Sequence, residues 1–113
     1  MSLRLVCCLV VSSSLVPTAD AQGRSTERFD LALGLIKRGM HDDAARQLAQ
    51  FVEDQPRHAK RGEACYRLGT CYLELNDAKR AIGSFRLALQ GGKFKLRGEC
   101  RYRLGKGSNH LVR

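Results

Sequence analysis

The chain has 113 residues, with 20 Lys and Arg against 11 Asp and Glu, a net charge of +9, 43% apolar residues and 27% charged residues. That is the length of one domain, too charged for a bundle of membrane-spanning helices and too varied for a collagen-like or Gly/Ser polymer. A soluble globular module is what remains.

Met1 to Arg4 make a short basic start, Leu5 to Val16 an apolar stretch broken by Ser12, Ser13 and Ser14, and Ala19-Asp20-Ala21 follow Pro17. This order is that of a secretory signal peptide, residues 1–21, with cleavage expected before Gln22. Its apolar part is about a dozen residues, whereas a permanent membrane helix takes about 20, so the mature chain is expected to hold no transmembrane segment and to be periplasmic or secreted. A buried N-terminal helix of a cytosolic protein is the alternative that fits the same pattern. Cys7 and Cys8 come too early for lipid attachment.

The next residues show two apolar stretches with helical spacing. Phe29, Leu31, Ala32, Leu35 and Ile36 recur at the 3.6-residue period up to Gly39, and Ala44, Ala45, Leu48, Phe51 and Val52 do so from Asp42 to Pro56. The plan then repeats. Tyr66, Leu68, Gly69, Tyr72 and Leu73 lead to a turn at Asn76-Asp77, and Ala78, Ala81, Ile82, Phe85 and Ala88 lead to Gly91-Gly92. Gly39 and Asn76 both tolerate the left-handed backbone that ends a helix.

A third copy opens the same way. Arg61-Gly62-Glu63-Ala64-Cys65-Tyr66-Arg67-Leu68-Gly69 recurs as Arg97-Gly98-Glu99-Cys100-Arg101-Tyr102-Arg103-Leu104-Gly105, 36 residues on. Here Lys106-Gly107-Ser108-Asn109 is expected to break the helix, and no second helix follows. About two and a half copies result, spanning residues 22–57, 58–94 and 95–113. Each unit buries its apolar face only against its neighbours, so marginal stability is expected, with a truncated relative of a longer repeat protein as one explanation. Nothing alternates with period two for long enough to make a strand.

Charge is divided unevenly along this plan. Residues 22–56 carry five basic and six acidic side chains, for −1, and residues 57–113 carry fourteen and four, for +10. Such a field suits an anionic lipid, polysaccharide or nucleic acid, with Arg97, Arg101, Arg103 and Lys106 as the candidate basic patch, or it is simply a well-solvated surface. For an exported chain an anionic envelope component is the more natural partner than nucleic acid.

The small residues Gly69, Ala44 and Ala81 stand where one helix must approach another, with Leu48 and Phe85 filling the space beside them. With Leu31-Ala32, Leu35, Gly39, Ala44, Leu48 and Pro56 in the first copy and Leu68-Gly69, Tyr72, Ala81, Phe85 and Ala88 in the second, the pattern resembles the tetratricopeptide repeat (TPR) family over roughly residues 25 to 105. Phe51, Asn76 and Lys93 depart from it, and the period is 36 to 37 residues where 34 is usual. The longer period resembles the bacterial envelope branch of the family, of the type associated with the Tol-Pal system and cell division. The resemblance implies an all-α fold of TPR-like helix-turn-helix repeats stacked as a short right-handed α-solenoid. It also implies a non-catalytic adaptor whose first helices line a peptide-binding groove. The equivalent groove positions here are Phe29, Leu33 and Ile36, then Tyr66, Arg67, Thr70 and Leu73, then Tyr102 and Arg103. Phe29, Tyr66 and Tyr102 have a second reading, as packing between neighbouring helices. The carboxylate clamp of chaperone-binding relatives is not reproduced, because Phe29 and Leu33 stand where those have Lys and Asn.

The mature cysteines are Cys65, Cys71 and Cys100. Six residues on one helix separate Cys65 from Cys71 by about 9 Å along the axis, so these two are not expected to pair. Either one with Cys100, or three buried free thiols, satisfies the spacing. His41, His58 and His110 are expected in turns or in the tail, none set beside a nucleophile, and His41 beside Asp42 reads as part of a helix start. Gly91-Gly92-Lys93 has neither the spacing nor the preceding strand of a phosphate-cradling loop. No catalytic site, metal site or cofactor is expected.

Overall fold

The computed structural model describes the backbone of residues 19–111 and the side chains of residues 23–109. The expected export segment lies outside the described residues as far as residue 18. Five helices follow one another: α1 (Ala19–Lys37), α2 (His41–Asp54), α3 (Arg61–Glu74), α4 (Ala78–Gln90) and α5 (Arg97–Leu111). There is no strand among the described residues. The expected cleavage point before Gln22 falls in the first turn of α1.

Both tight turns are built alike. After α1, the Gly39 N–H donates to the Ile36 carbonyl at 3.0 Å and the Met40 N–H to the Leu35 carbonyl at 2.9 Å. After α3, the Asn76 N–H donates to Leu73 at 3.0 Å and the Asp77 N–H to Tyr72 at 2.8 Å. These are two Schellman closures, each requiring one left-handed residue, and Gly39 (φ 76°) and Asn76 (φ 60°) supply it. The Asp77 carboxylate then caps α4 by accepting from the Arg80 N–H at 3.1 Å. Met40, its counterpart before α2, makes no side-chain cap.

Each helix packs against its neighbours in sequence, α1 on α2, α2 on α3, α3 on α4 and α4 on α5. The apolar faces meet in two clusters. One joins Phe29, Ala32, Ala44, Leu48, Phe51 and Leu68 of α1, α2 and α3. The other joins Cys65, Tyr66, Ala81, Phe85, Ala88 and Cys100 of α3, α4 and α5. Shared use of α3 makes the stack continuous, since its two faces serve different clusters.

Two glycines mark where elements come too close for a side chain. A Cβ on Gly69 would lie 2.5 Å from Cε1 of Phe85, and one on Gly62 would lie 2.9 Å from Cδ1 of Phe94. At the third-copy equivalents, Gly105 and Gly98, nothing stands within 4 Å. Among the described residues, α5 has no helix on its outer side.

The expected break at Lys106-Gly107-Ser108-Asn109 is corrected, because α5 runs through it to Leu111. A glycine inside a helix costs only about 1 kcal/mol. The segment lies close to α4: a Cβ at Gly107 would meet Ile82 at 3.5 Å, an ordinary contact distance. Of the histidines, only the placing of His110 in a tail changes, and His41 beside Asp42 starts a helix as expected. His41 opens α2 and His110 belongs to the backbone of α5, while His58 does lie in the loop between α2 and α3.

Candidate protein-binding face

The nine groove candidates divide by burial. Phe29 (2% exposed) and Tyr66 (4%) belong to the core. Phe29 lies 5.6 Å from the Phe51 ring, and Tyr66 lies 5.9 Å from Phe85 and 6.4 Å from Phe94. Both are therefore used in packing, the second of the two readings open to them. Leu33 and Ile36 are half-buried against the first cluster. Thr70 donates its hydroxyl to the Arg67 carbonyl at 2.7 Å, so it is engaged within its own helix. Arg67 faces Glu63 at 3.5 Å, and its Nε is buried with no partner.

The remaining candidates converge. Leu73 of α3 and Tyr102 and Arg103 of α5, joined by Lys106 of the basic patch and by Glu99 and Gly107, line a cavity of about 300 Å³ between the two first helices. Tyr102 is 66% exposed, the most exposed large apolar side chain among the described residues. Arg103 is held in place by Glu99, Nε to Oε1 at 2.9 Å. Burial pushes the Tyr66 phenol up from its ordinary range, and the neighbouring Arg103 guanidinium partly offsets this. Arg103 thus neighbours the Tyr66 phenol, while the Tyr66 ring is in the core. Lys106 is left as the cation of the cavity that has no ion pair among the described residues.

Glu99 and Gly107 were not among the sequence candidates. Both follow from helix spacing once α5 is known to continue, because Glu99, Arg103 and Gly107 recur at four-residue intervals on one side. The same geometry disperses the basic patch. Arg97 and Arg101 lie about 40° apart around the helix, and Arg103 and Lys106 about 60° apart on another side. Arg97 is turned to the loop, where its Nη1 donates to the Gly91 carbonyl at 3.3 Å.

A helical pair with a small residue under a ring, a Schellman turn and a cap is the unit of a stacked array. Residues 63–90, from the first turn of α3 to the end of α4, match the family model described as tetratricopeptide repeat. This segment is similar to a tetratricopeptide repeat. The α1–α2 pair repeats its turn and its small-on-large packing, and the whole is a TPR-like helical array. No curated protein matches the chain. TPR repeats generally bind protein partners.

The three thiols are buried and free. Cys100 Sγ lies 3.5 Å from the Phe85 carbonyl, to which it can donate. Among the described residues no three His, Cys, Asp or Glu side chains gather as a metal site would require, and no helix is long and apolar enough to cross a membrane.

Proposed function

We propose that the protein is an exported TPR adaptor that binds an extended peptide segment of a partner protein in the cell envelope, with no chemistry of its own. The observation that carries this reading is the α3–α5 cavity. Leu73 and the exposed Tyr102 ring offer an apolar seat, the Glu99–Arg103 pair fixes one wall, and Lys106 supplies an unpaired cation. An apolar side chain on Tyr102 and Leu73, followed by an acidic residue toward Lys106, is the matching ligand pattern. The envelope assignment is supported by the order of Met1–Arg4, Leu5–Val16 and Ala19-Asp20-Ala21, and by the 36-residue period.

Site-specific photocrosslinking in the full chain tests the groove, with a photoreactive side chain at position 102 and, as control, at the exposed position 86 on α4. Capture at 102 that disappears on Leu73→Asp and is absent at 86 supports the reading, and equal capture at both positions overturns it. Cell fractionation with N-terminal sequencing tests the location. An envelope species beginning at Gln22 is expected, and an uncut cytosolic chain removes the export part of the proposal.

A further inference from the structure

We infer that a second cavity, at the loop edge of the array and separate from the α3–α5 groove, binds a phosphomonoester. It has a volume of about 400 Å³ and lies between the α2–α3 loop and the α4–α5 loop. That is within the range of about 300–1,000 Å³ typical of small-molecule sites. Arg57, His58, Arg61 and Lys93 line it, together with the backbone at Gly62 and the Phe94 ring. No Asp or Glu is in its lining.

The cations there are uncompensated. Arg57, Arg61 and Lys93 make no ion pair among the described residues, whereas Arg28, Arg46, Arg67, Arg80 and Arg103 each do. The carboxylates nearest in sequence are committed elsewhere: Asp54 receives Arg28 and Gln50, both at 2.8 Å, and Glu63 receives Arg67. Arg61 also holds its Nε out of water with no hydrogen-bond partner, an unmet donor that an anion would satisfy. His58 Nδ1 accepts from the Lys60 N–H at 3.0 Å, so in the neutral ring Nε2 carries the proton and is a donor. Finally, α3 starts at Arg61 without a side-chain cap. Its first N–H groups are the positive end of a helix, a favourable setting for negative charge once cations have made the cavity.

Three cations point to an anion of more than one charge. A carboxylate would neutralise one, while a phosphomonoester carries about −1.5 to −2 at pH 7 and three acceptor oxygens, which guanidinium groups meet in pairs. The Gly91-Gly92-Lys93 stretch is not a nucleotide-binding loop. It supplies one cation to a site that only the neighbouring loop completes.

Calorimetric titration of the full chain with inorganic phosphate, at fixed ionic strength with chloride as control, tests the inference. Saturable one-to-one binding is expected. Arg61→Gln, Lys93→Gln and Arg57→Gln should each weaken it at least fivefold with unchanged circular dichroism, and Arg86→Gln and Tyr102→Ala should leave it intact. If Arg61→Gln lowers helicity, Lys93→Gln on the exposed loop carries the comparison. Vesicles of phosphatidate against phosphatidylcholine separate the sources. Preference for phosphatidate that inorganic phosphate competes away assigns a lipid headgroup, and phosphate binding without that preference assigns a free phosphate compound. Absence of saturable binding to both probes, or an equal loss in Arg86→Gln, overturns the inference.

Discussion

A Cβ on Gly69 would sit 2.5 Å from Cε1 and 2.7 Å from Cδ1 of Phe85, so the absence of a side chain at this point of α3 is what lets the ring of α4 approach so closely. The first repeat solves the same problem with different volumes. Ala32 and Leu48 hold the equivalent positions there, both fully buried in one cluster.

Gly69→Ala is therefore expected to destabilise the fold by about 1–3 kcal/mol, the cost of overpacking a filled core. Phe85→Leu in the same chain should recover part of that loss, because it recreates the Ala–Leu pairing of the first repeat. Urea unfolding of the two single variants and the double variant gives the coupling energy, and strict additivity would show that the two positions do not compete for one space.

The same substitution on the third copy has the opposite sign. Gly105 has nothing within 4 Å of its Cβ position, so Gly105→Ala adds helix propensity without a clash. A gain of about 0.5–1 kcal/mol is expected, read as a higher Tm. A loss on the scale of Gly69→Ala would mean that another helix covers α5 in solution.

Turn chemistry gives a third test. Asn76 holds φ 60° while its counterpart Gly39 holds φ 76°. Asn76→Gly should be neutral or stabilising, and Asn76→Ala should cost about 1 kcal/mol, because alanine lacks both the freedom of glycine and the local hydrogen bonding of asparagine. Thermal melts of the pair check the order, and equal melts would place the strain elsewhere.

Alkaline pH should weaken the fold through the thiols. Burial pushes Cys71 up from 9.0 to about 11, Arg67 lowering and Glu74 raising it further as smaller effects, and burial raises Cys65 and Cys100 as well. A raised folded-state value means that the stabilisation is complete below about pH 9 and disappears as pH rises through 11. For Cys71 this amounts to about 2–3 kcal/mol. Urea midpoints at pH 7 and pH 11 should diverge by correspondingly less in Cys71→Ala than in the unaltered chain. At pH 8 the three thiols should label only as fast as the protein opens.

What the sequence by itself determined was local: the helical periods, the repeat of Arg61–Gly69 as Arg97–Gly105, the two left-handed turn residues, and the small-on-large pairing of Gly69 with Phe85. Each depends on spacing within one helix or on one residue's backbone preference, and so can be read without knowing its surroundings. Only the tertiary structure decided that Phe29 and Tyr66 turn inward while Tyr102 stays in solvent, although the repeat gives Tyr66 and Tyr102 the same register. The difference is the neighbour: α4 and the α4–α5 loop cover α3, and nothing among the described residues covers the outer side of α5. α5 likewise runs, close to Ile82 of α4, through a glycine that local propensity would have made its end. The meeting of Arg57, Arg61 and Lys93 was equally out of reach of a linear reading. Arg57 and Lys93 hold equivalent positions one repeat apart on the two loops and Arg61 opens α3, and only the stacking of helical pairs brings the three to one edge.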